Sequence, residues 1–461
     1  MKEDSMGYRI KRLQDFARGV RESKALLDRE RWPREQLERF QQERLEELTR
    51  YAAARSPFWR EHVPRGRVRL GELPITTKAE LIDGFDERVT DRRLQLDTLL
   101  DHLDQIDDDA LYLGEYRVMT SSGSSGRKAV FVYDRPGWSG IAAMFFRRSD
   151  WTGATPRLPR LRLAMIGGAS PTHMTRRGAQ TLDVGIHRLL PLAVTQPLSE
   201  LVRGLNEFQP QHLYTYPSIM GQLADEQRAG RLRIAPEALV TSSEPLSPGL
   251  RDRLERVFGV RPYNFYATTE GLFGHDCAER SMHLFDDMCI VENVDEEGRP
   301  VPAGEPGARL LVTNLFNRAL PLIRFEVTDL VTVESEPCPC GRTLMRLRSL
   351  EGRAEEILYL GGVTVHPLQF ALVTADPDVR EFQVVQQDDG LRLRVALRDG
   401  AADAPARLRD GVRGRLEKLG VPRPAVEVET VDACERSPGG KLQMIVPAAS
   451  GVTDRSPAAP G

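Results

Sequence analysis

Three short segments carry residue types that do chemistry when brought together: Thr120-Ser121-Ser122-Gly123-Ser124-Ser125-Gly126-Arg127-Lys128, Tyr266-Ala267-Thr268-Thr269-Glu270-Gly271, and Arg324-Phe325-Glu326-Val327-Thr328-Asp329-Leu330. In the first, glycines let the backbone fold close to a phosphate, and amides with Ser/Thr hydroxyls supply donors. The Walker pattern G-x-x-x-x-G-K-[ST] is absent, and the same composition alone also makes a flexible surface linker. In the second, Tyr266 offers a face to a purine, Thr269 a donor to a phosphate, and Glu270 a hard oxygen ligand for Mg²⁺. An ordinary turn at a strand end reads the same way. In the third, Asp329 follows a β-patterned run, where a carboxylate can accept two hydrogen bonds from a sugar diol. A hairpin-turn aspartate fits too.

Two further groups stand later in the chain. Ser437-Pro438-Gly439-Gly440-Lys441 puts a lysine on a glycine-rich loop, where it can act as a compact point charge toward a carboxylate or phosphate. Cys338-Pro339-Cys340-Gly341-Arg342 is a tight C-x-C knuckle, with Cys277 and His283 upstream and His275 and Cys289 nearby. Two of these cysteines with a third and one histidine complete a tetrahedral Cys₃His zinc site. Buried, inert thiols are the competing reading.

The 461-residue chain is too long for one core, so two or more domains are expected. Hydrophobic content of 40%, charged content of 28% and a net charge of −3 fit a globular protein without a nucleic-acid surface or polybasic membrane patch. There is no apolar run of membrane-spanning length and no signal-like start, and five cysteines make no disulfide framework. The reducing cytoplasm is the expected compartment.

The patterning predicts a helical arm over about 1–55. Pro33 opens a helix over 34–55 whose inner face carries Leu37, Phe40, Leu45, Leu48 and Tyr51. From about 110 to 330, strand-like and helix-like stretches alternate: Leu161–Ile166, Leu198–Phe208, Gln211–Tyr216, Ile219–Ala229, Ala238–Thr241 and Gly249–Phe258. This is the pattern of βα units on a largely parallel sheet. Beyond 305 the texture turns antiparallel, with Ala308–Asn314 and Leu322–Glu334 as strands. Asp389-Gly390 marks a hairpin, Arg407–Lys418 a helix and Ala425–Val431 a strand. Glu351-Gly352-Arg353-Ala354-Glu355-Glu356, followed by Gly361-Gly362, suggests a hinge or a plain linker. Residues 447–461 read as a disordered tail.

As an ordered set these segments resemble the adenylate-forming superfamily of acyl-CoA synthetases, adenylation domains and luciferases, and most closely its phenylacetate–CoA ligase-like branch. Arg55-Ser56-Pro57-Phe58-Trp59, Leu73-Pro74-Ile75-Thr76-Thr77-Lys78 and Ser243-Glu244-Pro245-Leu246 extend the resemblance over about residues 45–446. It implies a large N-terminal α/β domain (1–350), a hinge (351–356), a small mobile α+β domain (357–446) and the tail. It also implies that a carboxylic acid reacts with ATP and Mg²⁺ to give an acyl-AMP and pyrophosphate, and that coenzyme A then takes the acyl group.

Carried over, Ser121, Ser122, Gly123, Ser124, Ser125 and Gly126 grip the outer phosphates, with Ser243, Glu244 and Arg353 also lining the nucleotide site. Tyr266 faces the adenine, Thr269 the α-phosphate, Glu270 Mg²⁺, Asp329 the ribose, and Lys441 the developing charge. Cys277, His283, Cys338 and Cys340 match the positions of a structural zinc. Arg127-Lys128-Ala129 stands where proline is usual, Ala-Glu-Glu where the hinge often has Asp, and Ala267 where glycine is frequent. Another acceptor or acid (an amine, a carrier protein, nitrite for diazotisation) is the alternative within the same chemistry, and a non-catalytic zinc-stabilised binding protein the alternative outside it. A homodimer is compatible with the reading. Tyr133, Trp138, Phe146, His173 and Tyr216 are acyl-pocket candidates by neighbourhood alone.

Overall fold

The computed structural model describes residues 5–106, 109–121, 129–168, 170–353, 358–365, 367–370, 372–373, 376–387, 390–398, 400–437 and 440–446. The helices are α1 (Ser5–Arg29), α2 (Arg34–Arg55), α3 (Pro57–His62), α4 (Lys78–Asp83), α5 (Phe85–Arg88), α6 (Leu96–Gln105), α7 (Arg135–Trp151), α8 (Met174–Leu182), α9 (Leu198–Phe208), α10 (Pro217–Arg228), α11 (Pro248–Phe258) and α12 (Ala404–Lys418). The strands are β1 (Arg117–Thr120), β2 (Val130–Tyr133), β3 (Arg162–Gly167), β4 (Arg188–Ala193), β5 (His212–Thr215), β6 (Ala238–Ser242), β7 (Tyr263–Ala267), β8 (Leu272–Asp276), β9 (Met282–Leu284) and β10 (Cys289–Val294). They continue with β11 (Arg309–Asn314), β12 (Phe325–Val327), β13 (Asp329–Glu334), β14 (Arg346–Arg353), β15 (Leu358–Leu360), β16 (Val363–Val365), β17 (Val379–Gln387), β18 (Gly390–Leu397), β19 (Ala425–Thr430) and β20 (Ile445–Val446).

Two compact units result, one taking nearly all residues up to Leu350, the other Glu351–Ser437 and the stretch from Lys441. The first is built on a nine-stranded sheet of order β13-β14-β9-β8-β7-β6-β5-β3-β4. Strands β4, β3, β5, β6 and β7 run parallel, as the alternation of strand and helix predicts. From β7 the sheet continues antiparallel through β8 and β9 to β14. The strand order reverses between β3 and β5, the kind of switch point at which open α/β sheets leave a crevice beyond the carboxyl ends of their strands.

The motif-like segments near the amino end serve as local fasteners. Ser56 caps α3 by accepting from the Trp59 amide, and Thr77 with Glu80 forms a capping box on α4. Thr76 pairs with Phe325, which ties the 73–78 segment to β12.

The inner face of α2 is rotated from the expected one. Leu37, Leu45 and Leu48 are buried, together with Gln41, Thr49 and Ala52, whereas Phe40 and Tyr51 are half-buried at the rim. The Arg29 guanidinium lies 4.7 Å from the Phe40 ring centroid and that of Arg55 4.0 Å from Tyr51. A cation over each ring satisfies its face without full burial.

The stretch 322–334 is two strands, not one. Strand β12 joins the three-stranded sheet β10-β11-β12, β13 joins the nine-stranded sheet, and Thr328 separates them.

In the second unit, β19-β18-β17-β20 forms a four-stranded sheet. Leu408, Val412 and Leu416 of α12 cluster with Val384, Leu391, Leu393 and Val395 of this sheet. Gly390 opens β18 as the register partner of Gln387, so it is a strand residue; Asp389 lies outside the described residues. Gly361 and Gly362, with φ of 55° and 80°, make the two-residue turn between β15 and β16. No helix among the described residues is long and apolar enough to cross a membrane.

Candidate nucleotide site and Cys/His cluster

Strand β7 ends at Ala267, and Thr268–Gly271 turns the chain back into β8. The Thr268 amide donates to the Gly271 carbonyl over 2.9 Å. Two side chains from elsewhere clamp the turn. The Tyr133 hydroxyl donates to the Thr269 carbonyl over 3.0 Å, and the Asn314 amide to the Glu270 carbonyl over 3.3 Å. With both carbonyls occupied, the half-buried Thr269 and Glu270 side chains are held on a fixed backbone. Tyr133 is fully buried, and burial, followed by the nearby Glu270 charge, pushes its phenol well above the usual range. It therefore stays a hydrogen-bond donor. In the sequence Tyr133 stands out only through its neighbourhood, and Asn314 carries no functional signal.

Tyr266 and Asp329, 63 residues apart, meet directly, the tyrosine hydroxyl donating to Oδ2 over 2.6 Å. The Tyr266 ring packs edge-on against Phe273 at 5.4 Å. Asp329 is half-buried at the start of β13. Arg324, at the head of the same motif, is structural: its guanidinium pairs with Glu292 at 3.1 Å and donates to the Leu73 carbonyl at 3.1 Å.

At the end of β6, Ser243 adopts a left-handed φ of 71°, an uncommon geometry for a residue with a side chain. The next residue, Glu244, accepts from the Ser218 amide at 3.0 Å in the first turn of α10, where a carboxylate is favoured.

Ser122, Gly123, Ser124, Ser125 and Gly126 lie outside the described residues. Ser121 is described, its amide donating to the Ala129 carbonyl at 3.0 Å, and Thr120 is the register partner of Val130. The Arg353 side chain, residues 354–356, Pro438, Gly439 and the 447–461 tail also lie outside the description. In the second unit, Lys441 is half-buried, and its backbone brackets Ser437 through bonds of 3.2 and 2.9 Å.

Trp138 and Phe146 are taken up in packing. Trp138 is wholly buried with its Nε1 donating to Thr181, and Phe146 meets Phe16 of α1 edge-on at 4.9 Å. His173 caps α8. Tyr216 is fully buried at the start of α10.

The ligand atoms of Cys277, His283, Cys338 and Cys340 all lie within 4.8 Å of one another. Cys277 Sγ is 3.7 Å from Cys338 Sγ, and Cys340 Sγ is 3.3 Å from His283 Nε2. These are edge lengths of a tetrahedron around a cation with bonds of about 2.0–2.3 Å. His283 Nδ1 faces the Leu344 carbonyl at 3.1 Å, which places the ring proton there and leaves Nε2 as the free lone pair. Of the other two candidates, Cys289 donates to the Phe285 carbonyl and His275 Nδ1 faces the Asp276 carbonyl; neither joins the group.

No protein-family model matches the chain. It is 28% identical over 382 residues to a phenylacetate–coenzyme A ligase of Thermus thermophilus, covering 78% of this chain and 80% of that one. To the phenylacetate–coenzyme A ligase of Escherichia coli it is 25% identical over 367 residues, covering 73% and 75%. Among solved structures, a 2-hydroxyisobutyryl-CoA ligase in its postadenylation state, in complex with R3-HIB-AMP, superposes with a TM-score of 0.73. That match covers 91% of each chain at 21% identity. The chain thus has the mixed α/β fold of adenylate-forming CoA ligases and resembles phenylacetate–CoA ligases in sequence.

Proposed function

We propose that this chain is an ATP-dependent, AMP-forming ligase that activates a carboxylic acid as its acyl adenylate, releases pyrophosphate and passes the acyl group to coenzyme A. The observation that carries the reading is the meeting of Tyr266 with Asp329 in a unit that also fixes Thr269 and Glu270 just past the carboxyl end of Tyr266's own strand, β7. A ribose acceptor, a phosphate donor and an oxygen ligand for Mg²⁺ are what an adenylation centre needs. The curated relatives are named for this chemistry.

In this reading the ATP outer phosphates rest on Ser121–Gly126, with Ser243, Glu244 and Arg353 contributing to the nucleotide site. Tyr266 borders the adenine while orienting Asp329 on the ribose hydroxyls. Thr269 donates to the α-phosphate, Glu270 supplies an oxygen ligand for Mg²⁺, and Lys441 stabilises the charge that develops as the carboxylate attacks. Positioning and electrostatics around phosphorus carry the rate. The small domain turns about 351–356 between the half-reactions. Cys277, His283, Cys338 and Cys340 hold a Zn²⁺ that, with four protein ligands, supplies stability and no open coordination position.

The test is ATP–pyrophosphate exchange over aryl acids, aliphatic acids, amino acids and nitrite, followed by addition of coenzyme A. Exchange with an acid and thioester formation support the reading. Exchange without thioester moves the acceptor to an amine or carrier protein, exchange with nitrite alone moves the substrate, and no exchange with any compound removes the reading.

A further inference from the structure

Consecutive arginines on α7 have opposite surroundings. Arg147 is wholly buried and paired, with Nη1 2.8 Å and Nη2 2.6 Å from the Asp287 carboxylate and a further bond to the Leu26 carbonyl. Arg148 is 4% exposed, and its side chain makes no hydrogen bond or ion pair among the described residues; its Nε is buried without a partner. Around its guanidinium stand aromatic rings, Phe265 at 5.6 Å, Phe145 at 5.8 Å and Tyr214 at 6.0 Å. Burial pushes its pKa down to about 10, with only the Tyr214 phenol acting in the opposite sense. His187 and His212 are pushed down by burial first and by the Arg148 charge next. A charge buried without a counterion costs stability, and arginine is seldom so placed unless something pairs with it.

The position is suggestive. Tyr214 lies on β5, at the point where the strand order reverses, and pairs with Met165 of β3 and Val240 of β6. Its hydroxyl is beside Ser242 and Thr175. Phe265 lies two residues, about 7 Å along the strand, before the end of β7, after which the turn that holds Thr269 and Glu270 begins. Arg148, beside Phe265, is set back from the strand ends at which the carboxylate reacts. It suits an anionic group at the far end of a short substrate.

We propose that Arg148 binds a second carboxylate of the acid substrate, so that the acid activated at the strand ends is a dicarboxylic acid, aliphatic or aromatic. The planar guanidinium gives bidentate recognition, and the surrounding rings hold the substrate's carbon frame away from water. The proposal rests on the adenylation reading for the reacting end alone; the anion site is a separate property of the first unit.

The experiment compares wild type, Arg148→Met and Arg148→Lys in ATP–pyrophosphate exchange with matched acids in which one carboxylate is replaced by methyl: succinate with butyrate, glutarate with valerate, terephthalate with 4-methylbenzoate. Wild type is expected to favour the best diacid over its partner by about 10²-fold or more in kcat/KM. Arg148→Met should abolish or reverse that preference without loss of thermal stability, since the apo protein loses an unpaired buried charge. Arg148→Lys should keep the preference at about tenfold lower kcat/KM, because an ammonium lacks the bidentate fork. A wild type that prefers the monoacids, or an Arg148→Met enzyme with undiminished diacid preference, overturns the proposal. If Arg148→Met does not fold, an Arg148→Lys enzyme with unchanged diacid kcat/KM overturns it. Thermal shift with the diacid alone separates the two readings. If no acid supports exchange, adenylation falls, and a diacid shift in wild type that Arg148→Met lacks still supports the anion site. An equal shift with sulfate, or none with any diacid, removes it.

Discussion

The Tyr266 hydroxyl donates to Oδ2 of Asp329 over 2.6 Å and joins the end of one strand to the beginning of another. The bond occupies one carboxylate oxygen and orients the other. Tyr266→Phe should therefore leave the fold intact and raise the KM for ATP about tenfold, the range for losing a hydrogen bond to a charged group. Asp329→Ala removes the acceptor itself and should lower kcat/KM for ATP by about 10²-fold or more. Exchange kinetics with ATP varied at saturating acid provide the check. Wild-type KM in both variants would take the pair out of the nucleotide site.

Lys441→Ala should lower the adenylation rate by about 10²-fold or more while ATP binding stays near wild type. The bonds that Ser437 exchanges with Lys441 run to the lysine backbone and are kept in the alanine variant. Single-turnover pyrophosphate release, read beside equilibrium ATP binding, separates the two effects. Release within twofold of wild type would sink the assignment.

Removing the proposed zinc should lower stability before it alters chemistry. Metal analysis should find about one zinc per chain. Chelation or Cys338→Ser should lower the Tm, because the free energy of binding such an ion adds directly to folding. The Cys/His cluster bridges β9, through His283, and the 338–340 knuckle, so its loss should first free the latter. A metal-free protein of unchanged Tm and activity would remove the claim.

Much of this architecture is legible in the sequence because it rests on local periodicity. The Leu198–Phe208 helix has the bounds its spacing predicts, and the strand-like stretches at 161–166, 211–216 and 238–241 fall on β3, β5 and β6 of the parallel set, whereas β4, with Pro191 in its middle, gives no strand pattern. What escapes is set by tertiary partners. Leu322–Glu334 is one β-patterned run, yet the chain changes sheets at Thr328, which no local pattern encodes. Tyr266 and Asp329 were each readable as motif residues, but their mutual bond follows from the fold. Arg147 and Arg148 are adjacent and identical in type. Only the helix rotation of about 100° between them, set against a folded sheet, gives one a carboxylate and the other three aromatic rings. Trp138 and Phe146 are close in sequence to Tyr133, but α7 turns them toward Thr181 and Phe16.

The last prediction concerns acid. His212, at the start of β5, is buried, and its pKa is pushed down to about 4, chiefly by burial and next by the Arg148 charge. The ordinary value is about 6.5, so between those two pH values the unfolded chain takes up a proton that the native state refuses. Stability from this group is therefore complete above pH of about 6.5, falls as the pH drops toward about 4, and levels off below. One such site contributes at most ~1.4 kcal/mol per pH unit. Urea unfolding of wild type and His212→Gln across this range isolates it, because the other histidines cancel in the difference. The difference should be largest in slope between those limits, with His212→Gln the less acid-sensitive protein. Arg148→Met should raise the His212 pKa and so narrow the window from its acid end. A difference curve that is flat with pH would show that His212 titrates normally in the folded protein and would remove this prediction.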